Sequence, residues 1–286
     1  MEHFLETHDR LNERQFLIAV KRLADSLSYG TDSSPFLGAG IEYVQSRLYQ
    51  IGDPIKSIDW RVTARTGKIH VKEFESPRQL PVYFLIDTSA SMTIRSTTIS
   101  KYALAVHIAG GLAFAALDRI SPVGVVGVGE SSLRVTPSLS RIQVLQWLHR
   151  LRRYRMDEGT TLGKKLKQLA PSLPNRAVLM ILSDMHDPEA VEALKPMAQK
   201  HDCVVLQLMD PAETGGSGAG FFRGREAETG LGFIAHGKHL WPDVNRLHDV
   251  LPKAQIDHLL LKTQEPVEYR LRRFFKMRGL AERGVR

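Results

Sequence analysis

Residues 82 to 91 read VYFLIDTSAS: an apolar run that stops at Asp87, with Ser89 and Ser91 following at two-residue steps. A D-x-S-x-S cluster of this kind aims three oxygen ligands at one small hard cation. Two other segments offer similar donors. Glu158-Gly159-Thr160-Thr161-Leu162 is a loop leading into a helix, and Ser183-Asp184 closes the apolar run AVLMIL. The candidate metal ligands are therefore Asp87, Ser89, Ser91, Thr160 and Asp184. All are oxygen donors, with no clustered Cys or His, which argues against a structural zinc site and for Mg2+, with Mn2+ or Ca2+ as alternatives. Thr161 lies next to Thr160, so which of the two faces the cation is open.

The charges limit what such a site does. Asp87 and Asp184 formally cancel a divalent cation, and the hydroxyls add nothing. The cation then tolerates one more anionic ligand, for example a carboxylate from another protein. Hydrolysis would also want a general base or an activated nucleophile. His186 and Asp187 are the local candidates, and beside a strand end they read first as turn residues. No catalytic residue is assigned, and the leading reading is a non-enzymatic interaction module. A Mg2+- or Mn2+-dependent phosphohydrolase or nuclease is the alternative. No second carboxylate cluster for a two-metal site and no Walker loop is present.

The elements around these residues alternate. From residue 81, PVYFLI, VGVVGV and AVLMILS read as buried strands, and CVVLQLM as another. Helical segments separate them at 97 to 120, 139 to 154, TLGKKLKQLAPSL and 188 to 200. SSLRVT follows VGVVGV closely enough to pair antiparallel. Fully apolar strands alternating with helices imply an α/β fold with a mainly parallel sheet covered on both faces. In such a sheet the three donor segments meet beyond the strands' C-terminal ends. A Gly-rich hairpin is expected near 211 to 240, and EPVEYRLRRFFKMRGL reads as a C-terminal amphipathic helix.

Residues 1 to 80 differ in pattern. A helix is expected at 13 to 28, with Asn12 and Gln15 as a capping box. Three strand-like pieces follow, IEYVQSRLY, KSIDWRVTA and KIHVKEF, making a small β-rich module. Trp60 reads first as its core, with Asp59, Arg61 and Arg65 as rim ion pairs, and a binding surface formed by these residues is the alternative.

Composition narrows the function classes. Apolar residues make up 43%, enough for a substantial core. The one cysteine, Cys203, excludes an internal disulfide or a thiolate metal cluster and favours a reducing, cytoplasmic setting. The net charge of +8 is concentrated in 141 to 167 and 262 to 286. That favours acidic partners. Nucleic acid is the weaker option, because aromatic stacking residues are not interleaved with the basic ones. No apolar stretch reaches membrane-spanning length, and the N-terminus is too charged for a signal peptide.

The three donor segments together resemble the metal-ion-dependent adhesion site of von Willebrand factor A domains. Asp87, Ser89 and Ser91 match its first motif, Thr160 its second-loop threonine, and Asp184 its later aspartate. The resemblance implies that the serines and the threonine contact Mg2+, that the aspartates act largely through water, and that a partner's acidic side chain completes the shell. In addition, GAGIEYVQSRLYQIGDPIKSIDWRVTART, running into this domain, and the tail EPVEYRLRRFFKMR resemble the bacterial domain-of-unknown-function 58 family. That resemblance implies an adaptor working with a MoxR-type AAA+ ATPase in the assembly or activation of client proteins.

Overall fold

The computed structural model describes residues 2–4, 13–28, 43–74, 80–93, 95–129, 133–155, 159, 161–173, 175–214, 221–225, 232–236 and 244–284. In chain order the elements begin with β1 (Glu2–Phe4), α1 (Glu13–Ser28), β2 (Tyr43–Leu48), α2 (Trp60–Thr66) and β3 (His70–Phe74). Next come β4 (Val82–Ile86), α3 (Lys101–Asp118), β5 (Val123–Gly127), β6 (Arg134–Ser138), α4 (Arg141–Leu151) and β7 (Arg153–Arg155). They are followed by α5 (Leu162–Leu169), β8 (Val178–Ser183), α6 (Ala190–Ala198) and β9 (Asp202–Met209). The last are β10 (Phe221–Arg225), β11 (Gly232–His236), α7 (Val244–Lys253), β12 (Asp257–Lys262) and α8 (Val267–Gly284).

Six strands form one sheet in the order β12-β9-β8-β4-β5-β6. Every pairing is parallel except β5 with β6. This is the mainly parallel, Rossmann-like α/β sheet that the apolar strands imply. Side chains alternate between its faces. Phe84, Ile86, Met180, Leu182, Val204 and Leu206 share a core with α1, α3, α4 and α8. Leu85, Leu179, Ile181 and Val205 face the other way, against α5, α6 and α7. Burial on both faces is why these strands read as continuous apolar runs.

Helix α1, expected beside the small β-rich module, lies instead along α3. Its Phe16, Val20, Leu23 and Leu27 enter the core of the large sheet. The approach is close: a Cβ on Gly111 would stand 2.5 Å from Leu23 Cδ2. The glycines of α3 therefore face other helices, since a Cβ on Gly110 would meet Val20 of α1 and Leu148 of α4.

The small module holds a two-stranded antiparallel sheet of β2 and β3. Between them, KSIDWRVTA is not a strand. Asp59 caps α2, accepting hydrogen bonds from Arg61 N and Val62 N, and Gly67 ends the helix in the left-handed region at φ 70°. The roles of Asp59 and Trp60 are the reverse of those expected. Asp59 is buried and accepts a 2.6 Å bond from Ser46 Oγ, whereas Trp60 is 68% exposed. At the first position of a short helix, the Trp60 side chain points out while the cap turns in.

The far edge of the sheet was not foreseen. α7 leads into β12, which pairs parallel with β9. The tail helix α8 packs across this edge. Its Arg278, largely buried, binds Asp202 and reaches Asp257 Oδ2 at 2.6 Å. The hairpin of β10 and β11 lies within the expected Gly-rich region and pairs antiparallel.

Candidate functional site

From β4 the chain passes outward through β5 and β6, then returns to β8 on the opposite side of β4. The strand order reverses between β4 and β8, and a crevice opens beyond the carboxyl ends of two such strands. Asp87 leaves β4 at that point, and Ser183 and Asp184 leave β8. The register pairs Ile86 with Leu182, and Asp87 N donates to Leu182 O at 3.0 Å. Two segments nearly a hundred residues apart are thereby side by side.

Each polar atom of the first motif has a defined partner. Asp87 Oδ1 accepts from Ser89 N at 3.0 Å, and Asp87 Oδ2 accepts from Ser183 Oγ at 2.6 Å. Ser89 Oγ and Ser91 Oγ are 3.0 Å apart. Ser91 also hydrogen-bonds the Asp184 carboxylate. A short 3-10 turn over Ala90–Thr93 folds the serines back over the strand end. Beyond β8 the backbone passes through the left-handed region at Met185, φ 60°, with Met185 N donating to Ser183 Oγ at 2.9 Å. A buried non-glycine residue in that region is strained, and such strain is held in place by its surroundings. Asp87, Ser89, Ser91 and Asp184 are thus one buried cluster. Thr160 lies outside the described residues. Its neighbour Thr161 donates from Oγ1 to Val128 O at 3.2 Å.

The electrostatics separate the two aspartates. Burial first, and then the nearby Asp184 charge, push the Asp87 carboxyl up to about 6. Burial opposes the Asp184 charge as well, but the Lys101 ammonium and His186 outweigh it and hold that carboxyl below its ordinary value. Before a cation enters, Asp184 is the ionised member of the pair and Asp87 the one that readily keeps its proton.

Lys101 is the main feature that the motifs did not reveal. It is the first residue of α3, fully buried, with Nζ 2.8 Å from Asp184 Oδ2 and bonded to Glu213 Oε1. Burial would strip its proton, but the two carboxylates raise its pKa above the ordinary lysine value. Asp184, His186 and Glu213 bring ligand atoms within 4.8 Å of one another, and the ammonium already binds two of the three. Asp210, fully buried at the end of β9, accepts bonds from Ser96 N, Ser96 Oγ, Ala212 N and Thr263 Oγ1. It ties the loop between the motif and α3 to the ends of β9 and β12. A signal for Lys101 was present, because a cation at a helix N-terminus opposes the macrodipole and needs an acidic partner.

Of the two candidate bases, Asp187 is occupied as a cap. Its Oδ2 accepts from Gly163 N at 2.8 Å and its Oδ1 from Glu189 N at 2.9 Å. This joins the start of α5 to the loop after β8. Gly163 permits the contact, since a Cβ there would stand 2.8 Å from Glu189 Cβ and 2.9 Å from its carbonyl carbon. Gly163→Ala should therefore lower stability by about 1–2 kcal/mol, with overpacking outweighing the helix propensity gained. Urea denaturation reads this directly, and an unchanged midpoint would mean the loop gives way freely.

An open pocket of about 460 Å3 lies alongside, lined by Thr161, Lys164, Lys167, Gln168, Asp187 and Glu189. Its two lysines, both on α5, are matched by two carboxylates, and Lys167 Nζ lies 2.6 Å from Glu189 Oε2.

Residues 45–234, more than half the chain, match the family described as Protein of unknown function DUF58. The chain belongs to that family. Among curated relatives, uncharacterized proteins of Mycobacterium bovis and Mycobacterium tuberculosis are 25% identical over 223 residues, spanning 76% of this chain and 70% of theirs. Among solved structures, the conserved hypothetical protein BatB from Bacteroides thetaiotaomicron aligns with a TM-score of 0.47 at 15% identity, over 70% of this chain and 99% of that one. The DUF58 match contains all five candidate ligands as well as Lys101 and Glu213. Among the described residues of this DUF58 chain, no helix is long and apolar enough to cross a membrane.

Proposed function

We propose that this protein grips an acidic side chain of a partner protein through a bound divalent cation, Mg2+ by the chemistry of its donors. The reading follows the metal-ion-dependent adhesion site of von Willebrand factor A domains. One observation carries it: Ser89 and Ser91, with hydroxyls 3.0 Å apart, stand with two buried aspartates where the strand order reverses. Asp87, Ser89, Ser91 and Asp184 fit a hard cation, being close-set oxygen donors with two carboxylates to balance its charge. Thr160 is the proposed fifth ligand. Bound there, the cation would act as a Lewis acid toward a carboxylate oxygen. The chain's own part is to gather the donors, exclude water behind them through the packed strand ends, and present Lys164 and Lys167 beside the crevice. Lys164 favours approach by an acidic surface, while Lys167 is paired with Glu189.

The partner of choice is a MoxR-type AAA+ ATPase or its client, with this chain as a cytoplasmic, non-enzymatic adaptor. Proteins captured by the tagged chain in Mg2+ should be lost in EDTA and in Asp87→Ala, whose circular dichroism stays native. Capture that persists unchanged under both conditions would rule the reading out.

A further inference from the structure

The donor cluster and the ammonium beside it hold one carboxylate more than a divalent cation needs, with the buried Asp210 set apart on Ser96, Ala212 and Thr263. Asp87, Asp184 and Glu213 are all buried, and all three lie at the ends of the parallel strands or in the turn just after them. Fully ionised they would leave a divalent cation with a net negative site, which repels a further carboxylate. Resting on the cation reading above, we propose that Lys101 sets the charge of the ligand the loaded site accepts. Its ammonium cancels Glu213, so that the ammonium, the cation and the three carboxylates sum to zero and an acidic side chain can enter.

The geometry supports an electrostatic role over a merely structural one. Lys101 binds Asp184, a proposed ligand of the cation, and Glu213 with the same nitrogen. Glu213 is held in turn, because its Oε2 accepts from Asp210 N at 2.9 Å. The loop carrying Lys101 is fixed by Ser96 on Asp210, and Ser100 caps α3 through Ala103 N at 3.1 Å. The ammonium therefore has little freedom to leave. It also sits at the N-terminus of an 18-residue helix, where the dipole disfavours a cation, and it is wholly desolvated. A neutral donor would satisfy Glu213 without those penalties. What a neutral donor cannot supply is the positive charge.

Water-proton relaxation with Mn2+ as the cation and acetate as the carboxylate probe, at pH 8, tests the charge account. In the native chain Mn2+ binds, and acetate lowers the relaxation enhancement by displacing coordinated water. In Lys101→Met, Mn2+ affinity should rise about tenfold or more as one positive charge leaves a low-dielectric site, and the acetate response should vanish. Glu213→Gln should do the opposite, weakening Mn2+ about tenfold while keeping the acetate response. The double variant, Lys101→Met with Glu213→Gln, should return both readings to within about threefold of the native values. A purely structural pin would weaken Mn2+ binding in all three variants. Single variants that shift affinity in the same direction, or a double variant that stays impaired, would overturn the role of Lys101 and leave the cation site standing. Absence of Mn2+ binding by the native chain would remove the cation reading and this inference with it. If Lys101→Met does not fold, the test rests on Glu213→Gln weakening Mn2+ about tenfold and the double variant restoring it.

Discussion

Asp87→Asn should make the metal-free protein more stable at pH 7.5 while abolishing its stabilisation by Mg2+. The carboxyl of Asp87 is fully buried and raised from 3.8 to about 6 by burial and by the neighbouring Asp184 charge. A group with a raised folded-state value contributes its full stability below the unfolded value. It loses that contribution as pH rises through the folded one. For Asp87 the loss falls between about pH 4 and pH 6 and amounts to about 3 kcal/mol. Asparagine carries no charge and escapes it. Part of the gain is returned, because Asp87 accepts from both Ser89 N and Ser183 Oγ and an amide offers only one accepting oxygen. A net gain of about 1–2 kcal/mol in chemical denaturation at pH 7.5, shrinking toward zero or below at pH 4.5, is expected. Mg2+ at a hundred times its dissociation constant should add about 2.7 kcal/mol to the native chain and nothing to the variant. A destabilised metal-free variant at pH 7.5 would contradict the burial argument, and equal Mg2+ stabilisation of both proteins would show that Asp87 is not a ligand.

That pairing of a costly charge with a cation response depends on features of unequal visibility in the sequence. The strands were legible because burial on both faces makes VYFLI and VLMILS continuously apolar, and the polar residue that stops each run marks the sheet's carboxyl end. Helix α2 was not legible as a helix. WRVTART has no apolar face to bury, and its evidence is confined to the Asp59 cap and Gly67. Trp60 was misplaced for the same reason: residue type suggested a core position, but the cap decided which neighbour turned inward. β12 was missed because DHLLLK is a half-covered edge strand with charged or polar residues at both ends, so it lacks the long apolar run of the central strands. Lys101 and Glu213 were missed for a different reason. They are 112 residues apart and meet only through the order of β4, β8 and β9 in the sheet. Spacing along the chain carries no trace of that contact.

Asp184→Asn should act in the opposite direction to the Asp87 change, although the two carboxylates belong to one site. Asp184 is held ionised by Lys101 at 2.8 Å, so its charge is an asset to the fold and not a burden. Removing it leaves a fully buried ammonium with Glu213 as its remaining acidic partner. Breaking a buried pair from one side typically costs 3–5 kcal/mol, and the remaining Glu213 contact reduces this to about 2–3 kcal/mol here. The pH dependence is also reversed. A depressed folded-state value gives stability that is present above the unfolded value of 3.8 and is lost as pH falls through the lower folded one. The deficit of Asp184→Asn should therefore be full at pH 7.5 and should narrow as the solution is taken below pH 4, where the native chain begins to lose the same charge. In the Lys101→Met background the substitution should cost less than about 1 kcal/mol, because the interaction it removes is already gone. Denaturation midpoints for the four proteins of this cycle measure that coupling. A cost that is the same with and without Lys101 would mean that Asp184 is stabilised by its serine and backbone hydrogen bonds alone, and that the ammonium beside it has no share in holding the site together.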